Sequence, residues 1–185
     1  MGVATQEKRS GDLQVATGGA TLENSTRWQT WWRKRNRLNR DLYRGPAVFS
    51  VTVTTWQRQQ VFTDASEVRR YHKMLEDGAR NTGFSLLAYC FMPDHLHLLV
   101  QGSEGSDLAQ LMKAFKQASS FDHKRRVGRP LWQRSYHDHV LRGPDEFQPA
   151  VEYVLGNPVR AGLVDSPGAY PFSGGELLRE LLVAT

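Results

Sequence analysis

The run Met92-Pro93-Asp94-His95-Leu96-His97-Leu98-Leu99-Val100 constrains this chain more than any other stretch. Side chains alternate across a β-strand, so residues two apart share a face. His95 and His97 then project one way, while Leu96, Leu98 and Val100 project the other. Two imidazoles about 7 Å apart along a strand can share one divalent metal. Burying such a pair beside a core without a partner would cost free energy. A metal site is therefore the first expectation.

With 185 residues and 39% hydrophobic content, the chain is long enough for one domain with a sizeable core. It contains no apolar run long enough to span a bilayer. Residues 1–26 lack the basic-then-apolar pattern of a secretion signal, and the expected location is the cytoplasm. The one cysteine, Cys90, excludes an internal disulfide and a cysteine-rich zinc module, and its apolar setting reads as a packed thiol. A formal charge of +5 and a pI near 9.6 point to a polyanionic partner. Between Arg27 and Arg44 the chain carries Arg33, Lys34, Arg35, Arg37 and Arg40, interleaved with Trp28, Trp31, Trp32 and Tyr43. Cations follow a phosphate backbone and flat rings stack on unpaired bases, so this arm reads as a nucleic-acid contact. The plainer alternative is a solvated basic helix docked through its tryptophans. A second cluster, Lys124-Arg125-Arg126, adds to the cationic surface.

Residues 1–26, rich in Gly, Thr and Ala, read as a disordered tail, and 27–46 as the basic arm. A domain is expected over 47–173, and a C-terminal tail over 174–185. Val48 to Thr55 reads as a strand. Asp64-Ala65-Ser66-Glu67 has capping-box spacing and opens a helix with Val68, Tyr71, Leu75, Gly78 and Ala79 on one face, ended near Asn81 and Gly83. Phe84 to Phe91 and the histidine strand form a hairpin about Pro93-Asp94. A second helix is predicted from Asp107 to about Arg126, a strand from Leu131 to Leu141, and a third helix after Pro144-Asp145 that ends at Gly156 and Pro158. The order β-α-β-β-α-β plus a helix matches an α+β, ferredoxin-like split βαβ fold. It has a central antiparallel sheet, helices on one side and an added C-terminal helix.

On that third helix Phe147, Ala150, Val151, Val154 and Leu155 form a core-facing stripe. Tyr153 and Asn157, four apart, stack at its edge. By spacing alone, a half-buried aromatic and a helix-terminal cap is the stronger reading. Pro149 sits early in the helix and predicts a late start or a kink.

Taken together, Met92-Pro93-Asp94-His95-Leu96-His97, then Trp132-Gln133, then Asp138-His139-Val140-Leu141-Arg142, then Tyr153 through Val164, resemble the single-tyrosine HUH transposases, and most closely their REP-associated tyrosine transposases. The resemblance covers roughly Val48 to Tyr170. It implies that His95 and His97 are metal ligands, that Tyr153 is the nucleophile and that Asn157 completes the metal site. It further implies attack of the tyrosine on a DNA phosphodiester, leaving a 5′-phosphotyrosine and a free 3′-hydroxyl, on single-stranded, hairpin-forming repeats. Lys116, His139 and Arg142 match positions suited to DNA contact, His139 being as readily structural.

A phenol of pKa about 10 is only ~0.1% ionised at pH 7, so its attack needs assistance. A metal that polarises a phosphate oxygen supplies it. Two imidazoles and an amide oxygen suit Mn²⁺, while Mg²⁺ prefers oxygen but is abundant. No P-loop is present, in keeping with an ATP-independent exchange. His72, His123 and His137 read as surface residues. A monomer or weak homodimer without membrane contact is expected. The alternatives are a decayed hairpin-binding protein, a metal hydrolase of small substrates and an RNA-binding ferredoxin-like module.

Overall fold

A computed structural model describes residues 40–183. The expected tail and the arm residues Trp28, Trp31, Arg33 and Arg35 lie outside the described residues. After a short 3-10 turn at Arg40–Tyr43 come β1 (Val48–Thr54), α1 (Ala65–Asn81), β2 (Phe84–Met92), β3 (His95–Gly102), α2 (Leu108–Val127), β4 (His137–Leu141), α3 (Pro144–Arg160), β5 (Ser173–Gly174) and α4 (Glu176–Val183). The strands form one antiparallel sheet in the order β4-β1-β3-β2-β5. Its first four strands have the split βαβ arrangement expected from the sequence.

Strand alternation divides the interior in two. Phe49, Val51 and Val53 of β1 and Leu96, Leu98 and Val100 of β3 meet α1 and α2 on one face. Leu87, Ala88, Cys90 and Met92 of β2 and Leu99 of β3 meet Ala150, Val154 and Leu155 of α3 on the other, joined by Leu178 of α4. The segment expected as a tail is thus a short strand and a helix. Phe62, between β1 and α1, is fully buried and packs edge-on against Tyr71 and Phe91 and tilted against Trp132.

Local signals account for most boundaries. Asp64 caps α1 by accepting from the backbone N–H groups of Ser66 and Glu67. The Glu67 carboxylate does not complete a capping box, because both its oxygens take Arg126 of α2 in a fork at 2.6 and 2.8 Å. Thr82 and Gly83, the latter at φ +73°, close the helix. The hairpin turn is Pro93-Asp94, and neither residue has positive φ.

Three expectations need correction. The strand expected from Leu131 to Leu141 is confined to His137–Leu141. Upstream, Trp132 makes a lone bridge to Thr55, and the carbonyls of Gln133 and Arg134 take the Lys116 ammonium at 2.8 and 3.1 Å instead of a neighbouring strand. The third helix neither starts late nor stops at Gly156. It runs from Pro144 to Arg160 through Pro149 and Pro158. Pro158 lacks the N–H that would reach the Val154 carbonyl, and Asn157 Nδ2 lies 3.5 Å from that oxygen. Finally, His72 and His123 are not surface residues. His72 stacks on Tyr89 with ring centres 4.5 Å apart, and buried His123 bonds the Tyr71 hydroxyl at 2.8 Å through Nδ1. His137 is exposed.

Two outcomes follow from this packing. Phe62→Ala is expected to lower unfolding free energy by about 3–5 kcal/mol in urea denaturation; a loss below 1 kcal/mol would show that the site collapses around the cavity. The Arg126 guanidinium, through its hydrogen bonds, holds the Glu67 carboxyl below its usual range despite partial burial. A carboxyl depressed in the folded state stabilises above its unfolded pKa and loses that stabilisation as pH falls through the folded value. Glu67→Gln is therefore expected to flatten the acid limb of stability below about pH 4.5, measured by thermal melts from pH 3 to 7; parallel limbs for both proteins would refute the link.

Candidate functional site

The site grows from one row of the sheet. His97 on β3 pairs with Thr52 on β1, which pairs with His137 on β4; His95 pairs with Thr54. Directly opposed residues of antiparallel strands point to the same face. That face is the one covered by α3.

Both imidazoles are held at Nδ1. The Asp94 carboxylate lies 2.5 Å from Nδ1 of His95 and can only accept, so that nitrogen carries a proton and the neutral ring presents Nε2 as its lone pair. The Thr52 hydroxyl, 2.9 Å from Nδ1 of His97, accepts its N–H in the tautomer that likewise frees Nε2. Asp94 is in turn gripped by Arg58 at 3.0 Å. Burial raises its carboxyl pKa, and the bonds from His95 and Arg58 more than reverse this, leaving it below the usual range. Arg58 and its neighbour Gln57 have φ of +54° and +52°, a conformation non-glycine residues adopt at a cost and often near functional sites. The Thr55 hydroxyl fixes the same turn by donating to the Asp94 carbonyl at 2.8 Å.

The two Nε2 atoms end 2.9 Å apart, with the rings nearly perpendicular at 86°. Facing lone pairs at that distance repel unless a proton or a cation lies between them. Burial, with help from His95 and Arg160, holds the His97 imidazole well below its ordinary pKa and so disfavours its doubly protonated form. Two cis nitrogen ligands about 2.1 Å from one ion are themselves about 3 Å apart, so the pair fits a metal. Among the described residues no group of three or more His, Cys, Asp or Glu could hold an ion. Any further protein ligand must therefore come from another residue type.

Helix α3 brings Tyr153 to the pair. The Tyr153 ring meets His97 edge-on, with ring centres 5.3 Å apart at 82°. One turn on, Asn157 turns its Nδ2 back to donate to the Tyr153 carbonyl at 2.7 Å, which leaves Oδ1 as its ligand-type atom. Arg160, quoted in the sequence motif without a role, donates to the same carbonyl at 2.5 Å and sets its guanidinium 4.8 Å from the Tyr153 ring centre. Burial pushes the Tyr153 phenol above its ordinary pKa, and the Arg160 charge pulls it partly back. Arg160, Thr52, Asp94 and Arg58 are the contributors that sequence reasoning left unassigned. Of these, only Asp94 carried a signal, its adjacency to His95.

The remaining expected residues lie elsewhere. His139 bonds Glu146 at 3.1 Å, and the Arg142 backbone N–H donates to the same carboxylate at 2.9 Å. Lys116 is committed to the 131–136 segment. Lys124 and Arg125 are exposed at the end of α2, whereas Arg126 is clamped by Glu67, Asp122 and Tyr71. Cys90, beneath α3, is buried, and its thiol is pushed up to about 11.

The family model described as Transposase IS200 like matches residues 47–154, more than half of the chain and a span that holds both histidines and Tyr153. The chain belongs to the IS200-like transposase family. Its function is therefore of the transposase type, exerted on DNA. It is 27% identical over 150 residues to a Haemophilus influenzae protein provisionally named a REP-associated tyrosine transposase, covering 75% of this chain and 84% of that one. It is 25% identical over 122 residues to the REP-associated tyrosine transposase of Escherichia coli K12, covering 63% and 68%. Its fold is that of a solved REP-associated tyrosine transposase bound to a REP hairpin, with a TM-score of 0.62 and 22% identity over 80% of this chain and 86% of that one. No helix among the described residues is long and apolar enough to cross a membrane.

The Arg160 contact makes a spectroscopic prediction. In protein labelled with ¹³Cζ-tyrosine, Arg160→Met should raise the titration midpoint of the resonance that Tyr153→Phe removes. An unchanged midpoint would mean that the guanidinium does not reach the phenol electrostatically.

Proposed function

We propose that this protein is a metal-dependent single-stranded DNA endonuclease and strand transferase that works through a 5′-phosphotyrosine at Tyr153, on hairpin-forming repeat DNA. The observation that carries the reading is the meeting of Tyr153 with His97 beside the converging Nε2 pair. Membership of a transposase family supports it, as does the fold shared with a relative bound to a REP hairpin.

His95 and His97 would hold the metal through Nε2, with Asn157 Oδ1 as the amide ligand. When bound, the ion supplies Lewis-acid polarisation of a phosphate oxygen and neutralises charge as the phosphorus is attacked. The side chains do the rest. Asp94 and Thr52 fix the imidazole tautomers and orientation. Arg160 steadies the Tyr153 ring and favours its ionised form, which burial alone disfavours. Tyr153 Oη attacks phosphorus, a new Oη–P bond forms and the P–O3′ bond breaks. The phenol proton passes to solvent, and the departing 3′ oxygen takes one up as a hydroxyl. Because one phosphoester replaces another, a 3′-hydroxyl can reverse the step on the same or a second strand without a nucleotide cofactor.

With labelled hairpin oligonucleotide and Mn²⁺ or Mg²⁺, a protein–DNA band that survives a denaturing gel is expected, and Tyr153→Phe should abolish it while changing affinity less than threefold. A wild-type-level band in that variant would falsify the assignment of the nucleophile. No band from wild type, with tight hairpin binding, would instead favour the decayed binding protein. Thr52→Val, which keeps the β-branched shape, should weaken Mn²⁺ binding by about 10–100-fold in titration calorimetry, as loss of an outer partner typically does. Unaltered binding would mean that the Thr52 contact does not orient the ligand.

A further inference from the structure

Gly156 interrupts α3 four residues before its end, between the core residue Leu155 and Asn157. Glycine inside a helix is destabilising relative to alanine, so its presence there calls for a reason. Backbone conformation does not supply one, because the φ of Gly156 is not positive. The reason lies one turn on. Side chains on a helix point back toward its N-terminus, so the residue at i+4 lies over the residue at i. For Gly156 that residue is Arg160. A Cβ added at Gly156 would stand 2.8 Å from Nη1 of Arg160 and 3.8 Å from its Cζ; beyond the helix backbone and the flanking residues it would meet nothing else within 4 Å. Over the bare glycine Arg160 reaches the Tyr153 carbonyl with Nη2 at 2.5 Å, with Nη1 3.5 Å from the Glu152 carbonyl and Cζ 4.8 Å from the Tyr153 ring centre. Arg160 and Tyr153 are separated by about 10 Å of helix rise, so the side chain must run flat along the surface to span it.

We infer that Gly156 is a positioning residue for Tyr153: its missing side chain leaves the channel in which Arg160 lies, and Arg160 in turn sets the ring against His97. The ring then has two fixed neighbours, a guanidinium anchored to the helix backbone and an imidazole anchored to the sheet. Any side chain at position 156 would lift the first of these away. The atoms that an alanine there would displace belong to the far end of a flexible side chain, so the helix itself has no cause to distort. Alanine also improves helix propensity. Stability and reactivity are therefore expected to part company at this position, which a glycine kept only for folding would not allow. The packing of Arg160 over Gly156 stands on the structure alone; its effect on the reaction rests on the reading of Tyr153 as the nucleophile.

The test measures the rate of covalent adduct formation at saturating hairpin oligonucleotide with Mn²⁺, and the melting temperature, for wild type, Gly156→Ala, Arg160→Ala and the double variant. Gly156→Ala should slow the adduct about tenfold, within the cost of a small misplacement of a reacting group. Its melting temperature should equal or exceed that of wild type. The double variant should react within about twofold of Arg160→Ala, because without the guanidinium the added methyl has nothing to displace. A readout independent of the chemistry is the Nε–H resonance of Arg160, identified by its loss in Arg160→Ala. It should move in Gly156→Ala in the same direction as in Tyr153→Leu, which removes the ring current. A wild-type rate in Gly156→Ala would overturn the inference, as would losses that multiply in the double variant or an unmoved resonance. A melting temperature lowered by several degrees would place the clash in the helix itself and overturn it too. If wild type forms no adduct while the resonance still moves, the assignment of the nucleophile falls and the placement of the ring through Gly156 stands.

Discussion

Everything at the functional face depends on the two-residue period of β3. Leu96, Leu98 and Val100 are each fully buried against α1 and α2, so the strand cannot slip by one residue without turning a core edge to solvent. That same register sends His95, His97 and Leu99 to the opposite face. There Leu99 anchors the second core and the imidazoles face each other at its margin. The hydrophobic burial on one side thus sets the position of polar chemistry on the other. The neighbours then refine it: Thr52 comes from the adjoining strand in register, and Asp94 from a turn held by Thr55 and Arg58.

Helix α3 solves a different problem, bringing a phenol to a finished sheet. Its apolar stripe buries Ala150, Val154 and Leu155, which fixes the rotation that presents Tyr153 to His97. Two internal prolines would ordinarily weaken such a helix. Here Asn157 and Arg160 both donate to the Tyr153 carbonyl, so the backbone at Tyr153 is bonded from two side chains in the turn that follows. The same residues serve the backbone and the site.

The sheet order, the hairpin and the faces of all three long helices were legible in the sequence, because each is written in a period of 2 or 3.6 residues. The shared face of His95 and His97 was legible in the same way, while the meeting of Tyr153 with His97 needed the resemblance as well as its spacing. What escaped was tertiary in origin. Glu67 satisfies the local rule for a capping box, yet a bidentate partner 59 residues away outcompetes the backbone N–H it would have met. His123 lies four residues beyond Ser119 and eight beyond Phe115 on the buried stripe of α2, but a polar ring has no reason to be there until the Tyr71 hydroxyl meets it. The segment before β4 has strand composition, but Lys116 occupies the carbonyls a ladder would use. Thr52 looks like any β-branched strand residue until its register with His97 is known.

Chain order adds a consequence of its own. A polypeptide stopped just short of Pro144 already holds β1 to β4 with α1 and α2, and with them both imidazoles, Thr52 and Asp94. It lacks α3, which covers Cys90, Met92 and Leu99 and carries the phenol, and the β5–α4 segment whose Leu178 joins the same core. During synthesis Tyr153 therefore emerges after both imidazoles, Thr52 and Asp94, and its helix begins the closure of the second core. A chain at that stage has the imidazole pair written in full and the phenol not yet made.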